Sequence, residues 1–124
     1  MDKFTQAYIV AALWSSTDGE SNPLDANYDA TDIAPTTMDR IKEDCRRFQA
    51  ENAKLLTEAY GLYRITGEHT VEEQAGHDFW LTRNRHGAGF WDRGLGNTGM
   101  HLTAMAHAYG ECEIYVGDDK QLHI

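Results

Sequence analysis

Apolar side chains at helical spacing predict a helix near the start of the chain. Phe4, Tyr8 and Ala11 fall on one face of residues 4–14, and a polar run ends the pattern. The segment 15–35 is rich in Ser, Asp, Asn, Gly and Pro, which is typical of an irregular loop. The pattern therefore predicts one short helix followed by a long connection.

The strongest amphipathic pattern lies between Pro35 and Gly61. Apolar residues recur there in steps of three and four, while charged residues occupy the opposite face. Thr36 followed by Asp39 resembles a capping box, and Gly61 is a typical helix C-terminus. These signals predict one long helix, with Cys45 on its apolar stripe as a small buried hydrophobe.

A central β-hairpin is predicted after a short helical turn. Thr70 and Glu73 form a second capping pattern, and we expect Gly76 to end that turn. The segments 77–82 (HDFWLT) and 88–92 (AGFWD) are rich in aromatic residues and flank the connection RNRHG. They are therefore predicted to be paired antiparallel strands.

A further helix and a second hairpin are predicted near the end of the chain. The helix begins at Asn97 or Thr98, and Gly110 caps it. The segments CEIYV and QLHI flank a good turn sequence at residues 117–120. Four residues are predicted to form the core face of the helix: Leu102, Met105, Ala106 and Tyr109.

The predicted elements describe a single α+β domain over residues 1–124. A small antiparallel sheet made of two hairpins is expected to pack with two to three helices. A chain of 124 residues fits one domain, and 41% apolar residues are enough to build a core. No internal repeat or low-complexity tract interrupts this organisation.

The charge distribution favours a protein partner over nucleic acid. The formal net charge is −9, and six acidic residues face a single lysine within residues 1–35. Only residues 77–101 carry a positive balance. An acidic protein is repelled by bulk nucleic acid, so binding there would need a local basic patch. Solubility is the simplest reason for the acidity, and the functional reading is a surface that mimics nucleic acid or docks on a basic protein.

The cysteines and the N-terminal segment indicate a cytoplasmic protein. Cys45 and Cys112 are far apart and have no metal-ligand spacing, so both are predicted to be small hydrophobes in a reducing compartment, with Cys112 at a strand start. The apolar run within residues 4–14 follows Asp2 and is too short to span a bilayer. We therefore expect no export signal and no membrane association.

The central hairpin carries the most specific binding hypothesis. If Asn84 and Arg85 form a two-residue turn, one face of the hairpin is apolar core and the other presents two indoles over glycines. Such a face would stack a base or an aromatic ligand. The alternative is that both faces are buried and the indoles pack under helices. The candidate binding residues are Trp80, Arg83, Arg85, His86, Trp91 and Arg93.

The same region resembles a known protein family. The run HDFWLTRNRHGAGFWDRG, with AALWSST, LDANYDATDIAP and YVGDD around it, is similar to small uncharacterised proteins of tailed bacteriophages and some plasmids. The similarity covers most of the chain, although the family turn reads Asn-Gly where this chain has Arg85. The resemblance implies no known activity and no catalytic residues. It implies a phage or mobile-element accessory protein that acts inside a bacterial cell.

A catalytic role has weaker support in the sequence. His77, His86 and Asp92 would supply a base and an orienting carboxylate near one end of the hairpin, where His77 faces Asp92. The alternative is a hydrogen-bonded pair that only stabilises the hairpin, and ion pairs outnumber active sites. No nucleophile motif, P-loop or H-E-x-x-H is present, so no catalytic residue is assigned.

Metal binding is also disfavoured by the sequence. Asp25, Asn27 and Asp29 match the first, third and fifth positions of an EF-hand loop. Ala30 and Thr36 stand where that loop requires Gly and a bidentate Glu. Side-chain turns of Asp and Asn explain the run better, so we expect no metal and no cofactor.

The leading functional hypothesis is a non-enzymatic accessory protein that binds a host or phage macromolecule, in an anti-defence or host-takeover role. It rests on the acidity, on the absence of a chemical motif and on the family resemblance. Two alternatives stay open. One is a single-strand nucleic-acid binder that uses Trp80, Trp91 and the arginines, and the other is a small hydrolase or nuclease built on His77, His86 and Asp92.

Overall fold

The computed structural model describes residues 1–124 and shows an α+β fold dominated by helices. A two-stranded antiparallel sheet and three short 3-10 turns, at Leu24–Ala26, Ala30–Asp32 and Phe90–Asp92, complete it. The predicted class is confirmed, but the structure has five helices and one hairpin where two to three helices and two hairpins were predicted. The elements are α1 (Lys3–Ser15), α2 (Pro35–Glu51), α3 (Ala53–Leu62), α4 (Val71–Arg83), α5 (Asn97–His107), β1 (Tyr115–Val116) and β2 (Leu122–His123).

Helices α1 and α4 form the most extensive contact in the fold. Gly76 of α4 lies directly against the backbone of Phe4, where an added Cβ would overlap the Phe4 carbonyl oxygen. Because the helices approach so closely, the aromatic side chains next to this contact are almost fully enclosed. Phe79 stacks on Phe48 of α2 with ring centroids 4.0 Å apart, and both rings are fully buried. These rings form the centre of the core.

The prediction of one helix between Pro35 and Gly61 is wrong because the chain breaks at Asn52. Asn52 is buried, with φ −121° and ψ 25°, and its side-chain amide donates to the carbonyl of Phe48 at 3.0 Å. The side chain therefore satisfies the end of α2, and α3 begins at the next residue. The predicted apolar stripe is confirmed, since Cys45 and Phe48 are fully buried.

The capping box predicted at Thr36 and Asp39 is also wrong. Pro35 occupies the first helical position of α2, and the residue before it, Ala34, has no side chain that can cap. Proline at this position already removes one of the unpaired N–H groups of the helix start. The start of α2 is therefore set by Pro35.

The predicted central hairpin is wrong, because its first strand is helix α4. The capping box of Thr70 and Glu73 is confirmed, with hydrogen bonds of 2.8 and 3.2 Å, but the helix continues through Gly76 to Arg83. Residues 78–83 are all buried, so this helix is enclosed on nearly every side. A helix enclosed in this way has no polar stripe, and its aromatic run looks like a strand in the sequence. The second predicted strand contains the 3-10 turn Phe90–Asp92.

The predictions for α5 and the final hairpin are mostly confirmed. Leu102 and Ala106 are buried, whereas Met105 is 42% exposed and lies outside the core. Strands β1 and β2 pair around a turn that the Lys120 N–H closes on the Gly117 carbonyl at 3.0 Å. Strand β1 begins at Tyr115 and not at Cys112, which was the predicted start, because residues 112–114 do not pair with β2. No helix is long and apolar enough to cross a membrane.

Candidate functional site

The structure does not bring the six predicted binding residues together on one surface. Trp80 and Arg83 belong to α4 and are 2% and 3% exposed, respectively. Arg85 and His86 lie in the exposed loop after α4, and Trp91 is 55% exposed in a separate 3-10 turn. The platform of two indoles therefore does not form, and the nucleic-acid hypothesis loses its geometric basis.

Trp80 packs α4 against α1 instead of facing a ligand. Its indole N–H donates to the hydroxyl of Ser15 at 2.8 Å. Its ring meets the ring of Tyr8 edge to face, with centroids 5.3 Å apart. A buried indole usually finds a hydrogen-bond partner in this way, so the role of Trp80 is structural.

Arg83 is likewise an internal connector. Its guanidinium donates to the Asp44 carboxylate at 2.9 Å and to the Tyr8 hydroxyl at 3.1 Å. It also donates to the carbonyls of Tyr109 at 3.1 Å and Gly110 at 2.9 Å, just after α5. One buried cation thus connects α1, α2, α4 and the end of α5.

Arg93 belongs to a polar network centred on the fully buried Asp78. The Asp78 carboxylate accepts from Arg93 Nη2 at 2.9 Å and from Arg93 Nε at 3.1 Å. It also accepts from the Tyr63 hydroxyl at 2.9 Å and from the Gln74 amide at 3.0 Å. His69 Nε2 donates to Gln74 Oε1 at 2.7 Å, because that amide oxygen only accepts. We call Asp78, Arg93, Tyr63, Gln74 and His69 the Asp78 network.

His77 pairs with Trp14 of α1, and the predicted pairing with Asp92 is wrong. The Trp14 indole N–H donates to His77 Nε2 at 3.2 Å, and the two rings stack with centroids 5.6 Å apart. Since Nε2 accepts, Nδ1 carries the hydrogen of the neutral ring; it lies 3.9 Å from Asp78 Oδ1 and has no hydrogen-bond partner. Asp92 instead accepts from the Gly89 N–H at 3.0 Å.

Two neighbouring cavities share members of the Asp78 network. The Val10 cavity, of about 440 Å³, and the Arg64 cavity, of about 410 Å³, are both lined by His69, Gln74 and Arg93. Pockets of this size that contain a few convergent polar groups are the usual form of ligand sites. The Arg64 cavity also contains Asp92, and the Val10 cavity also contains His77.

The remaining candidate catalytic residue, His86, lines a third cavity, apart from the Val10 and Arg64 cavities. The His86 cavity, of about 530 Å³, is lined by His86, Cys112 and the edge of Trp80, among others. His77, Asp92 and His86 therefore line three different cavities, so the arrangement expected for a hydrolase is not present.

Several groups have chemical properties set by burial. Burial raises the pKa of the Cys45 and Cys112 thiols, and both cysteines are free. A raised thiol pKa leaves little thiolate at neutral pH, so neither sulfur is activated as a nucleophile.

No group of three or more His, Cys, Asp or Glu side chains is placed to hold a metal ion. The expected side-chain turn is confirmed at Asp29, which accepts from the Thr31 N–H at 2.9 Å.

Three tyrosines that are buried or half-buried make the free energy of unfolding fall at alkaline pH. Burial raises the pKa of Tyr60 from 10.0 to about 12, and burial also raises the pKa of Tyr63 and Tyr8. In the unfolded chain these phenols ionise near their ordinary value, whereas the folded protein keeps them protonated to higher pH. The free energy of unfolding should therefore be constant with respect to these groups below pH 10.0 and fall as pH rises toward about 12.

Urea unfolding followed by circular dichroism at several alkaline pH values measures this effect. Tyr60→Phe should make the decline in unfolding free energy shallower. The control is Tyr115→Phe, at a position that is 53% exposed, and it should leave the decline unchanged. Equal slopes for wild type and Tyr60→Phe would contradict the assignment.

The sequence patterns did not identify the exposed apolar side chains of α1. Val10 is 59% exposed and Trp14 is 45% exposed, one helical turn apart. The face formed by Val10, Trp14 and His77 is called the Trp14 face below. One sequence feature could have revealed this exposed pair: Val10 and Trp14 are four residues apart and lie outside the stripe of Phe4, Tyr8 and Ala11.

Comparison with known proteins adds no relative. No protein-family model matches the chain, and neither curated proteins nor solved structures give a significant match. The resemblance to phage and plasmid proteins therefore stays a prediction, and function has to be inferred from the side-chain geometry.

Proposed function

We propose that this chain is a non-enzymatic accessory protein that binds a basic bacterial protein through the Trp14 face. The supporting observation is the exposed indole of Trp14 beside the exposed side chain of Val10. Tryptophan is among the residues that contribute most binding energy at protein interfaces. An indole and a valine exposed one turn apart provide an apolar centre that a partner can cover.

The Trp14 side chain is already ordered before any partner arrives. Its hydrogen bond and its stacking on His77 fix the ring against α4. A side chain that is fixed in the free protein loses less conformational entropy on binding. The geometry of Trp14 therefore favours an interface anchor over an incidental surface residue.

The charge of the chain supports a partner of opposite sign. The net charge is −9, and five acidic residues lie in the connection 16–34 that follows α1. Hydrogen bonds from the backbone N–H groups of Asn22 and Glu20 lower the pKa of Asp18 in this connection and favour its ionised form. A strong net negative charge accelerates association with a basic protein.

The biological setting is part of the same proposal. The family resemblance supports a setting in the cytoplasm of a bacterium that carries a phage or mobile element. Binding of a host protein there would serve host takeover or inhibition of a defence system. The negative charge disfavours nucleic acid as the partner, because no indole platform with a basic rim compensates for it.

The Trp14 face is tested by comparing two exposed tryptophans. Wild type, Trp14→Ala and Trp91→Ala are used to capture proteins from a bacterial lysate, and the captured protein is then purified for affinity measurements. We expect one basic protein whose Kd increases about tenfold or more with Trp14→Ala, equivalent to about 1.4 kcal/mol. Trp91→Ala is the matched control and should bind like wild type.

Salt and self-association complete the test. Binding to the purified partner should weaken as salt is added, because salt screens the attraction between opposite net charges. Circular dichroism establishes that Trp14→Ala is folded. The proposal is wrong if no captured basic protein depends on Trp14, or if light scattering shows that the Trp14 face binds a second copy of the chain instead.

A further inference from the structure

The Arg64 cavity has the features of a site for a small anion. It lies between the end of α3 and the 3-10 turn Phe90–Asp92 and measures about 410 Å³. Its polar lining includes Arg64, Thr66, His69 and Arg93. These side chains come from separate segments and converge on one concave space. Convergent donors in a cavity of this size are typical of a small-molecule site.

Asp78 fixes the position of Arg93 but does not occupy all of its N–H groups. Asp78 accepts from the Nε and Nη2 atoms of Arg93, while the Gln74 amide also donates to Oδ1 and the Tyr63 hydroxyl donates to Oδ2 of the same carboxylate. Arg93 Nη1 makes no hydrogen bond to protein, and the side chain is 29% exposed. A buried carboxylate thus orients a guanidinium whose remaining N–H groups are available to a ligand.

Arg64 supplies a second guanidinium to the same cavity. It is exposed and takes part in none of the ion pairs of the structure. Arg64 lines the same cavity as Arg93, so two guanidinium groups border one concave space. Arginine binds planar anions through two parallel N–H groups, which suits carboxylates.

The local charge balance determines which anion fits. Arg64 and Arg93 are opposed by Asp92 and by the buried Asp78, so these four groups carry no net charge together. A single negative charge is therefore better accommodated than a dianion. We propose that the Arg64 cavity binds a carboxylate, from a small organic acid or from a peptide C-terminus. This inference is independent of the Trp14 face.

The test uses the full chain and three defined probes. Acetate, a short alanine peptide and the same peptide with an amidated C-terminus are titrated at constant ionic strength while ¹⁵N NMR follows the amides of residues 64–66 and the Nε–H of Arg93. We expect saturable shifts with a millimolar Kd for acetate or for the free peptide, and no saturable shift with the amidated peptide. Stronger binding by acetate indicates a small acid, whereas stronger binding by the free peptide indicates a C-terminus.

Matched arginine variants show where the anion binds. Arg64→Gln should weaken binding about tenfold without unfolding the protein, because Arg64 has no internal partner. Arg85→Gln removes another exposed arginine, outside the Arg64 cavity, and should have no effect. Inorganic phosphate, titrated in the same way, is the anion control. The proposal is overturned if the shifts do not saturate, if both variants lose binding equally, or if phosphate binds more tightly than acetate.

Discussion

A Gly76→Ala variant is expected to lose about 3 kcal/mol of unfolding free energy, near the upper end of the cost of overpacking a core. The added methyl group would overlap the carbonyl oxygen of Phe4, and backbone cannot rotate aside as a flexible side chain does. Helices α1 and α4 would have to separate, and the buried rings between them would lose contact. Urea unfolding followed by circular dichroism measures the change.

Gly61→Ala is the matched control for this variant. Gly61 also lies in a helix, α3, but an added Cβ there meets nothing within 4 Å. Alanine is the better helix former, so this variant should be as stable as wild type or more stable by less than about 1 kcal/mol. If the two variants were equally stable, the close contact between α1 and α4 would be disproved.

Arg83→Ala is expected to destabilise the protein by about 3 kcal/mol, because it removes one partner of a buried ion pair. The change leaves the Asp44 carboxylate without its cation and the carbonyls of Tyr109 and Gly110 without their donor. Arg83→Lys should recover only part of the loss, since an ammonium group cannot reproduce the planar fork. The midpoint of urea unfolding for the three proteins measures both effects.

Arg46→Ala provides the comparison with a surface ion pair. Arg46 Nη2 lies 2.6 Å from Glu43 Oε1 on α2, but the two side chains are 66% and 52% exposed. Exposed pairs contribute less than about 1 kcal/mol even with good geometry, so this variant should stay close to wild type. A larger loss from Arg46→Ala than from Arg83→Ala would show that Arg83 is not the connector described above.

The elements with one polar face could be predicted from the sequence. Helix α2 has a full charged face opposite Cys45 and Phe48, and its apolar stripe was predicted correctly. The break at Asn52 could not be predicted, because the apolar spacing continues across it. Helix α4 was missed for the opposite reason: its neighbours enclose it, so its sequence lacks the polar stripe on which helix prediction depends.

The candidate sites depend on contacts that sequence spacing does not reveal. Trp80 and Trp91 are close in sequence, yet one is buried in α4 and the other exposed in a later turn. Trp14 and His77 are 63 positions apart and nevertheless touch. The charge distribution along the sequence distinguished residues 77–101, which include Arg93, as the only stretch with a positive balance. Only the three-dimensional arrangement shows that Arg93 is held by Asp78 and faces a cavity.

The pairing of α1 with α4 also affects how the protein reaches its folded state on the ribosome. Helix α1 is synthesised before α4, and α2 and α3 are both made in between, before α4 is available to cover α1. Phe4 can already meet Phe48 of α2, but the contacts of Phe4 and Tyr8 with Phe79 and Trp80 form only once α4 is available, and until then the exposed apolar surface can attract other chains. The absence of a side chain at position 76 lets α4 close tightly over α1, and this closure completes the burial of Phe4 and Tyr8.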